Sequence, residues 1–146
     1  MRRYPTGVAV ATVEVEGTRL GLTLASLVSL ALEPPLVGIS IARQAAFHEL
    51  LREAGGFAVS LLAGEQLALA QHFARGVPPI AMWQGVEVRD GARGPLLDGA
   101  VGWLECGLDG ELAAGDHTFF VGRVERVEAG VDTAPLLRLG GEYRPA

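Results

Sequence analysis

The proline pair Pro34-Pro35, set between two apolar runs, constrains this chain more than any other feature. Proline lacks a backbone N–H and its ring fixes φ, so no helix can pass through the pair, and each preceding residue is pushed toward extended geometry. The run that follows, Leu36-Val37-Gly38-Ile39-Ser40-Ile41, is short, continuously apolar and rich in β-branched residues. That is the pattern of a strand buried on both faces, and we read it as a central strand. Upstream, Val8 to Val15 alternates around β-branched residues and ends at Glu16-Gly17, a turn signal, after which Arg19 to Thr23 returns as a second strand. A hairpin therefore opens the chain.

Beyond residue 45 the period changes. Phe47, Leu50, Leu51 and Ala54 fall at helical spacing, and Gly55-Gly56 supplies a stop. Phe57 to Leu62 reads as a strand, and Glu65 to Ala74 as a second helix with Leu67, Ala70 and Ala74 on one face and Leu69 and Phe73 nearby. Arg75 to Gly94, with Pro78-Pro79 and four glycines, reads as loop, broken at most by a brief strand at Val86 to Val88. Val101 to Leu108, Glu111 to Ala113 and Thr118 to Val127 read as strands, with Asp109-Gly110 and Gly115-Asp116 as turns. Many short strands with two small helices predict a mainly β fold, a closed or partly closed barrel. At 146 residues and 49% hydrophobic, the chain is long enough for one such domain, 1–146, and too short for two.

Composition removes several classes of function. A net charge of −5 with no basic run argues against a nucleic-acid surface. The apolar stretches are far shorter than the roughly 20 residues of a membrane helix, so no membrane association is expected. The single cysteine, Cys106, forbids an intramolecular disulfide and fits a reduced, cytoplasmic setting. With no lysine, there is no Walker lysine and no Schiff base. His48, His72 and His117 lie far apart without ligand spacing, so no metal site is expected.

What remains is a concentration of hydroxyls. The chain has four serines, and Ser26, Ser29 and Ser40 lie in or just after the segment Gly21 to Val37, beside Thr23. Such hydroxyls can simply bond their own backbone. They can also line a ligand cradle, holding polar edges of a bound ring system without burying net charge. Arg43 follows the apolar strand and precedes the first helix, where an anion would meet a guanidinium and a helix N-terminus together.

The segment resembles the flavin-contacting signature of the flavin reductase-like family, the FMN-binding split barrels. Thr23, Ser26, Ser29, Pro34, Pro35, Leu36 and Val37 match it. Further pieces follow in the same order: Tyr4-Pro5-Thr6-Gly7 at the start, Phe73-Ala74, Pro95-Leu96-Leu97, Trp103-Leu104-Glu105-Cys106, Gly115-Asp116-His117-Thr118-Phe119-Phe120-Val121-Gly122, Pro135-Leu136-Leu137 and Tyr143-Arg144. Together they cover nearly the whole chain.

The resemblance implies a single-domain FMN-binding split β-barrel with short helices, acting as an NAD(P)H-dependent flavin reductase and assembling as a homodimer. Hydride would pass from nicotinamide to bound FMN, and reduced flavin would serve a partner monooxygenase. Carried over by position, the flavin-binding residues are Thr23, Leu24, Ala25, Ser26, Val28, Ser29, Ser40, Arg43, Phe73 and Ala74. His117, with Asp116, would seat the nicotinamide. No side chain is implied as acid, base or nucleophile. The chain departs from the family at Leu24, Ala25 and Val28, and at Ala45 and Phe47, where Ser and Thr are common. These departures keep two other readings open: an FMN-binding electron carrier without NAD(P)H turnover, and a flavin-free interaction module.

Overall fold

The computed structural model describes residues 1–146. Its elements, in chain order, are β1 (Thr6–Gly7), β2 (Ala9–Val15), β3 (Thr18–Leu24), β4 (Val28–Leu32), β5 (Pro35–Ala42), α1 (Ala46–Ala54), β6 (Gly56–Leu61), α2 (Leu67–Ala74), α3 (Pro79–Met82), β7 (Val88–Asp90), β8 (Pro95–Leu97), β9 (Gly102–Ala114), β10 (His117–Ala129), β11 (Leu136–Leu139) and β12 (Glu142–Pro145).

Seven strands form one sheet in the order β3-β2-β6-β9-β10-β5-β4, with every neighbouring pair antiparallel. Its edges, β3 and β4, are consecutive in the sequence, and only Ala25, Ser26 and Leu27 lie between them. A linker that short spans about 14 Å at most, so the sheet must roll until its edges nearly meet. The edges are not paired with each other: β3 pairs with β2 and β4 with β5. The result is a barrel closed by a loop along one seam, the partly closed barrel that the strand pattern predicts and the split barrel that the resemblance implies.

Inward-facing side chains fill the barrel. Val10 and Val13 of β2, Ile39 and Ile41 of β5, Phe57 and Val59 of β6 and Phe120 of β10 are all fully buried. α1 packs against β2, β3 and β6 and also against β5, adding Phe47 and Leu51 to the core. It ends where Gly55 adopts φ 68° and donates its N–H to the Leu51 carbonyl at 3.0 Å. A left-handed C-terminal residue of this kind is inexpensive for glycine alone.

Several elements differ from the sequence expectation. β5 is the second strand from the edge, not a central one. Val37, Ile39 and Ile41 face the core, while the opposite face is half-covered, the Phe119 ring lying where a side chain at Gly38 would be. Asp109-Gly110 is not a turn: β9 runs through it, and Asp109 is the extra residue of a bulge opposite Val121 and Gly122. The chain reverses only at Gly115-Asp116, where Gly115 has φ 62° and Ala114 pairs with His117. Pro78-Pro79, read as loop, starts the short helix α3, because proline is well suited to a first helical turn. The brief strand lies at Val88–Asp90, paired with β8, instead of at Val86 to Val88. On α2 only Ala70 and Phe73 are buried, and Ala74 is exposed.

Cys106 is buried on β9, opposite Val124 of β10, and burial pushes its thiol up to about 12, so it is neutral and enclosed at physiological pH.

Candidate functional site

The seam is where the hydroxyl cluster lies, because the linker Ala25–Leu27 is the seam. Near it, β4 stops pairing with β5 at Val28 opposite Gly38, leaving the backbone of Ser40 without a strand partner on that side. Ser26 supplies one. Its Oγ accepts the Ser40 N–H at 3.0 Å and donates to the Ser40 carbonyl at 3.3 Å. Thr23 likewise donates its hydroxyl to the Ala70 carbonyl of α2 at 2.6 Å. Both hydroxyls have structural partners, and each oxygen retains a free acceptor position.

Three clefts open along this region. The largest, about 730 Å³, is lined mostly by apolar groups, including Thr6, Ala25, Ser26, Leu27, Val28 and Pro135. A second, about 280 Å³, has Thr23, Leu24, Ala25 and Ala74 facing Arg138 and Tyr143. A third, about 270 Å³, is lined by Arg2, Tyr4, Thr6, Ala25 and Arg138 among others. Ala25 belongs to all three, so they converge on the seam linker.

The structure thus brings Thr23, Leu24, Ala25, Ser26, Val28 and Ala74 together on connected clefts. Ser29 lies elsewhere: successive strand residues face opposite sides, so it points away from Val28, is exposed, and lines none of the three clefts. Phe73 is a core side chain, buried to 2%, with its ring centroid 5.2 Å from that of Trp83.

A second group gathers at the far end of β5. Arg43 donates its backbone N–H to the Asp116 carbonyl at 3.0 Å, and Ala42 pairs with His117 across β5 and β10. Asp116 Oδ1 lies 2.7 Å from His117 Nδ1, leaving Nε2 without a partner in the chain. The hydrogen bond from His117 holds the Asp116 carboxyl below its usual range, with the nearby Arg43 charge adding a smaller effect. Ser40, two residues before Ala42, joins the two groups through its bonds to Ser26.

The other histidines are structural. His48, buried to 2%, links α1 to the start of β10: its Nε2 is 2.7 Å from Thr118 Oγ1 and its Nδ1 2.9 Å from Glu49 Oε1. His72 Nε2 is 2.6 Å from the Met82 carbonyl, holding α2 to α3.

Two parts of the site escape sequence reading. The β11–β12 hairpin, which carries Arg138 and Tyr143 into the clefts, turns at Gly140-Gly141 with φ 68° and 93°. A Gly-Gly pair between two short strands is a hairpin signal that could have located it. The contribution of Tyr4 and Thr6 to the cleft walls has no local signal, since it depends on β1 pairing with β11 across the length of the chain.

Ser26→Ala is expected to lower stability by about 1 kcal/mol, because the Ser40 N–H loses its acceptor while half-buried and partly open to water. Chemical denaturation of both proteins measures this directly. An unchanged midpoint would show that the seam is held without Ser26.

Comparison with known proteins places this architecture. The flavin reductase like domain family matches residues 1–146. The chain is 35% identical over 144 residues to the reductase component of 4-hydroxyphenylacetate 3-monooxygenase from Thermus thermophilus, covering 99% of this chain and 91% of that protein. It is 34% identical over 151 residues to an NADH:FMN oxidoreductase of Rhodococcus qingshengii, covering 98% and 77%. Among solved structures it superposes on the NADH:FAD oxidoreductase of Streptomyces globisporus C-1027 with a TM-score of 0.93 at 36% identity, covering 99% of this chain and 87% of that one. A split barrel matched by the family over its full length, with relatives more than 30% identical across nearly the whole chain, makes this chain a member of the flavin reductase-like family.

Proposed function

We propose that the protein is an NAD(P)H-dependent flavin reductase that binds FMN in the seam clefts and passes reduced flavin to a partner monooxygenase. The observation that carries this reading is the convergence of Thr23, Ala25, Ser26 and Ala74 on clefts of ligand-binding size at one seam. Relatives named for FMN and for FAD both occur, so the flavin class rests on the family, and FMN is our choice within it. The residues suit such a group. The largest cleft offers apolar walls, with the Ser26 hydroxyl at its edge and no carboxylate among its lining residues. When bound, the flavin supplies the hydride-accepting chemistry.

The chain's own residues bind and orient. Thr23 and Ser26 present hydroxyl oxygens to polar ligand edges, Ala25 and Val28 keep the wall close and dry, and Arg43 provides positive charge at the end of β5. His117, held by Asp116, turns its free Nε2 toward solvent, where it can seat a nicotinamide nucleotide. No proton need move through the protein, which agrees with the lack of any nucleophile or base constellation.

No helix is long and apolar enough to cross a membrane, and we place the enzyme in the cytoplasm. We also infer a homodimer. β4 leaves one edge unpaired and exposes Val28 by 43%, Leu30 by 44% and Leu32 by 84%, with no charged residue between them. An uncharged apolar edge of this kind requires a cover, and a second copy is the simplest one. Light scattering is expected to show twice the mass of the chain at micromolar concentration, and Leu30→Lys to shift it toward monomer. A monomer mass for the unaltered protein would remove the dimer.

The function is tested by absorption spectroscopy of the purified protein, first with FMN and then, without oxygen, with NADH or NADPH. Binding followed by bleaching of the flavin band is the expected result. Binding without bleaching would leave an electron carrier, and no binding at submillimolar FMN would leave a flavin-free module.

A further inference from the structure

The twelve basic residues are all arginine, and the fold divides them. Arg19, Arg52, Arg89, Arg93, Arg123 and Arg126 each pair with a carboxylate. Arg2, Arg3, Arg43, Arg75, Arg138 and Arg144 do not, and four of these six, Arg2, Arg3, Arg138 and Arg144, come from the N-terminal turn and the β11–β12 hairpin. The two segments are tied together. Arg2 Nη2 donates to the Gly140 carbonyl at 2.6 Å, and the Gly140 N–H donates to the Arg2 carbonyl at 2.9 Å. In a chain of net charge −5, this is a local surplus of positive charge, and two of the four, Arg2 and Arg138, line the clefts.

Arg138 stands at its centre. It lines both smaller clefts, as does Ala25, and its guanidinium carbon lies 6.0 Å from the centre of the Tyr143 ring. It makes no hydrogen bond within the chain, so its five N–H donors are available to a ligand. Thr23 and Ala74 line one of these clefts with it. An unpaired guanidinium in a concave site, backed by a second one on Arg2, suits a phosphoryl group, which the planar fork can grip through two hydrogen bonds. Arg43 cannot be this site, since it lines none of the three clefts and has the Asp116 carboxylate as a neighbour.

We propose that Arg138, supported by Arg2, binds a phosphoryl group that dinucleotides carry and FMN lacks. This rests on the flavin-reductase reading. The group is either the adenylate-side phosphate of FAD or a phosphate of the nicotinamide nucleotide. Arg138 would then set the preference of the site for dinucleotide ligands, a role that the flavin signature does not assign.

The test uses Arg138→Gln and Arg138→Lys in the full chain. Because Arg138 is exposed on the hairpin, neither substitution disturbs the core. In Arg138→Gln, the Kd for FAD or the KM for NADH or NADPH is expected to rise about tenfold, the loss of one charge-assisted contact at an open site. The Kd for FMN is expected to stay nearly constant, because FMN fits the largest cleft, which Arg138 does not line. Arg138→Lys should recover part of the loss, and rising salt should shrink the difference between the proteins. A rise for FAD alone assigns the flavin dinucleotide. A rise for NADH and NADPH together assigns the nicotinamide pyrophosphate, and a rise for NADPH alone its 2′-phosphate. Unchanged constants for all three dinucleotides would overturn the proposal, as would an equal loss for FMN and for riboflavin, which carries no phosphate. Failure of the unaltered protein to bind FMN or FAD would instead sink the flavin reading itself, before Arg138 enters.

Discussion

His117→Ala is expected to slow flavin reduction while leaving flavin affinity nearly unchanged. The geometry separates the two effects: His117 sits on the β10 side of the β5 end, while the seam clefts are lined from Thr23 to Val28. The imidazole is 42% exposed and held by Asp116 through Nδ1, so its loss removes an oriented polar contact without opening the core. One such contact is worth about 1–3 kcal/mol, or roughly one to two decades in kcat/KM for the nicotinamide nucleotide. Stopped-flow reduction of bound flavin, beside a flavin titration, reads both quantities. Equal rates in mutant and wild type would reduce His117 to a hairpin-end residue. A parallel collapse of flavin binding would move it into the flavin pocket.

Phe57→Ala is expected to be the most destabilising simple change. Phe57 is fully buried at the start of β6, and its ring packs against the backbone of Gly122, where an added Cβ would come within 2.6 Å of the ring and 2.9 Å of the Cys106 Cβ. Truncating a buried Phe costs about 3–5 kcal/mol through lost burial and the cavity left behind. Gly122→Ala approaches the same contact from the other side and is expected to cost about 1–3 kcal/mol by overpacking. The two sites touch, so their effects should not add. Phe57→Leu is expected to be better tolerated in the Gly122→Ala background than alone. Denaturant midpoints at constant slope measure the cycle, and strict additivity would show that the ring and the glycine do not constrain one another.

The order of elements was legible because local rules act within a few residues. Pro34-Pro35 excluded helix, Glu16-Gly17 and Gly115-Asp116 set hairpin turns with φ values of 49°, 83° and 62° at Glu16, Gly17 and Gly115, and the spacing of Phe47, Leu50 and Leu51 marked α1. Where a local signal had two outcomes, tertiary context chose. Asp109-Gly110 became a bulge because β10 continues past it as a partner, so the backbone gained more from staying in the ladder than from turning. Pro78-Pro79 became a helix start, with the carbonyl of Met82 in that helix taken up by His72.

The site divides in the same way. The sequence by itself identified the hydroxyl-rich segment, the Gly-Asp-His turn and, through their order along the chain, the family. Only the tertiary structure decided which of those residues share a cleft. The partners are distant along the chain: Ser26 meets Ser40 across the seam, Thr23 meets Ala70, and Arg138 reaches Thr23 and Ala25 only because β1 pairs with β11. Ser29 and Phe73, both carried over from the family's signature pieces, turn away from the clefts because strand alternation and core packing orient them. Residue type and spacing record what a segment can contact, whereas rolling a seven-stranded sheet until its edges meet determines what it does contact.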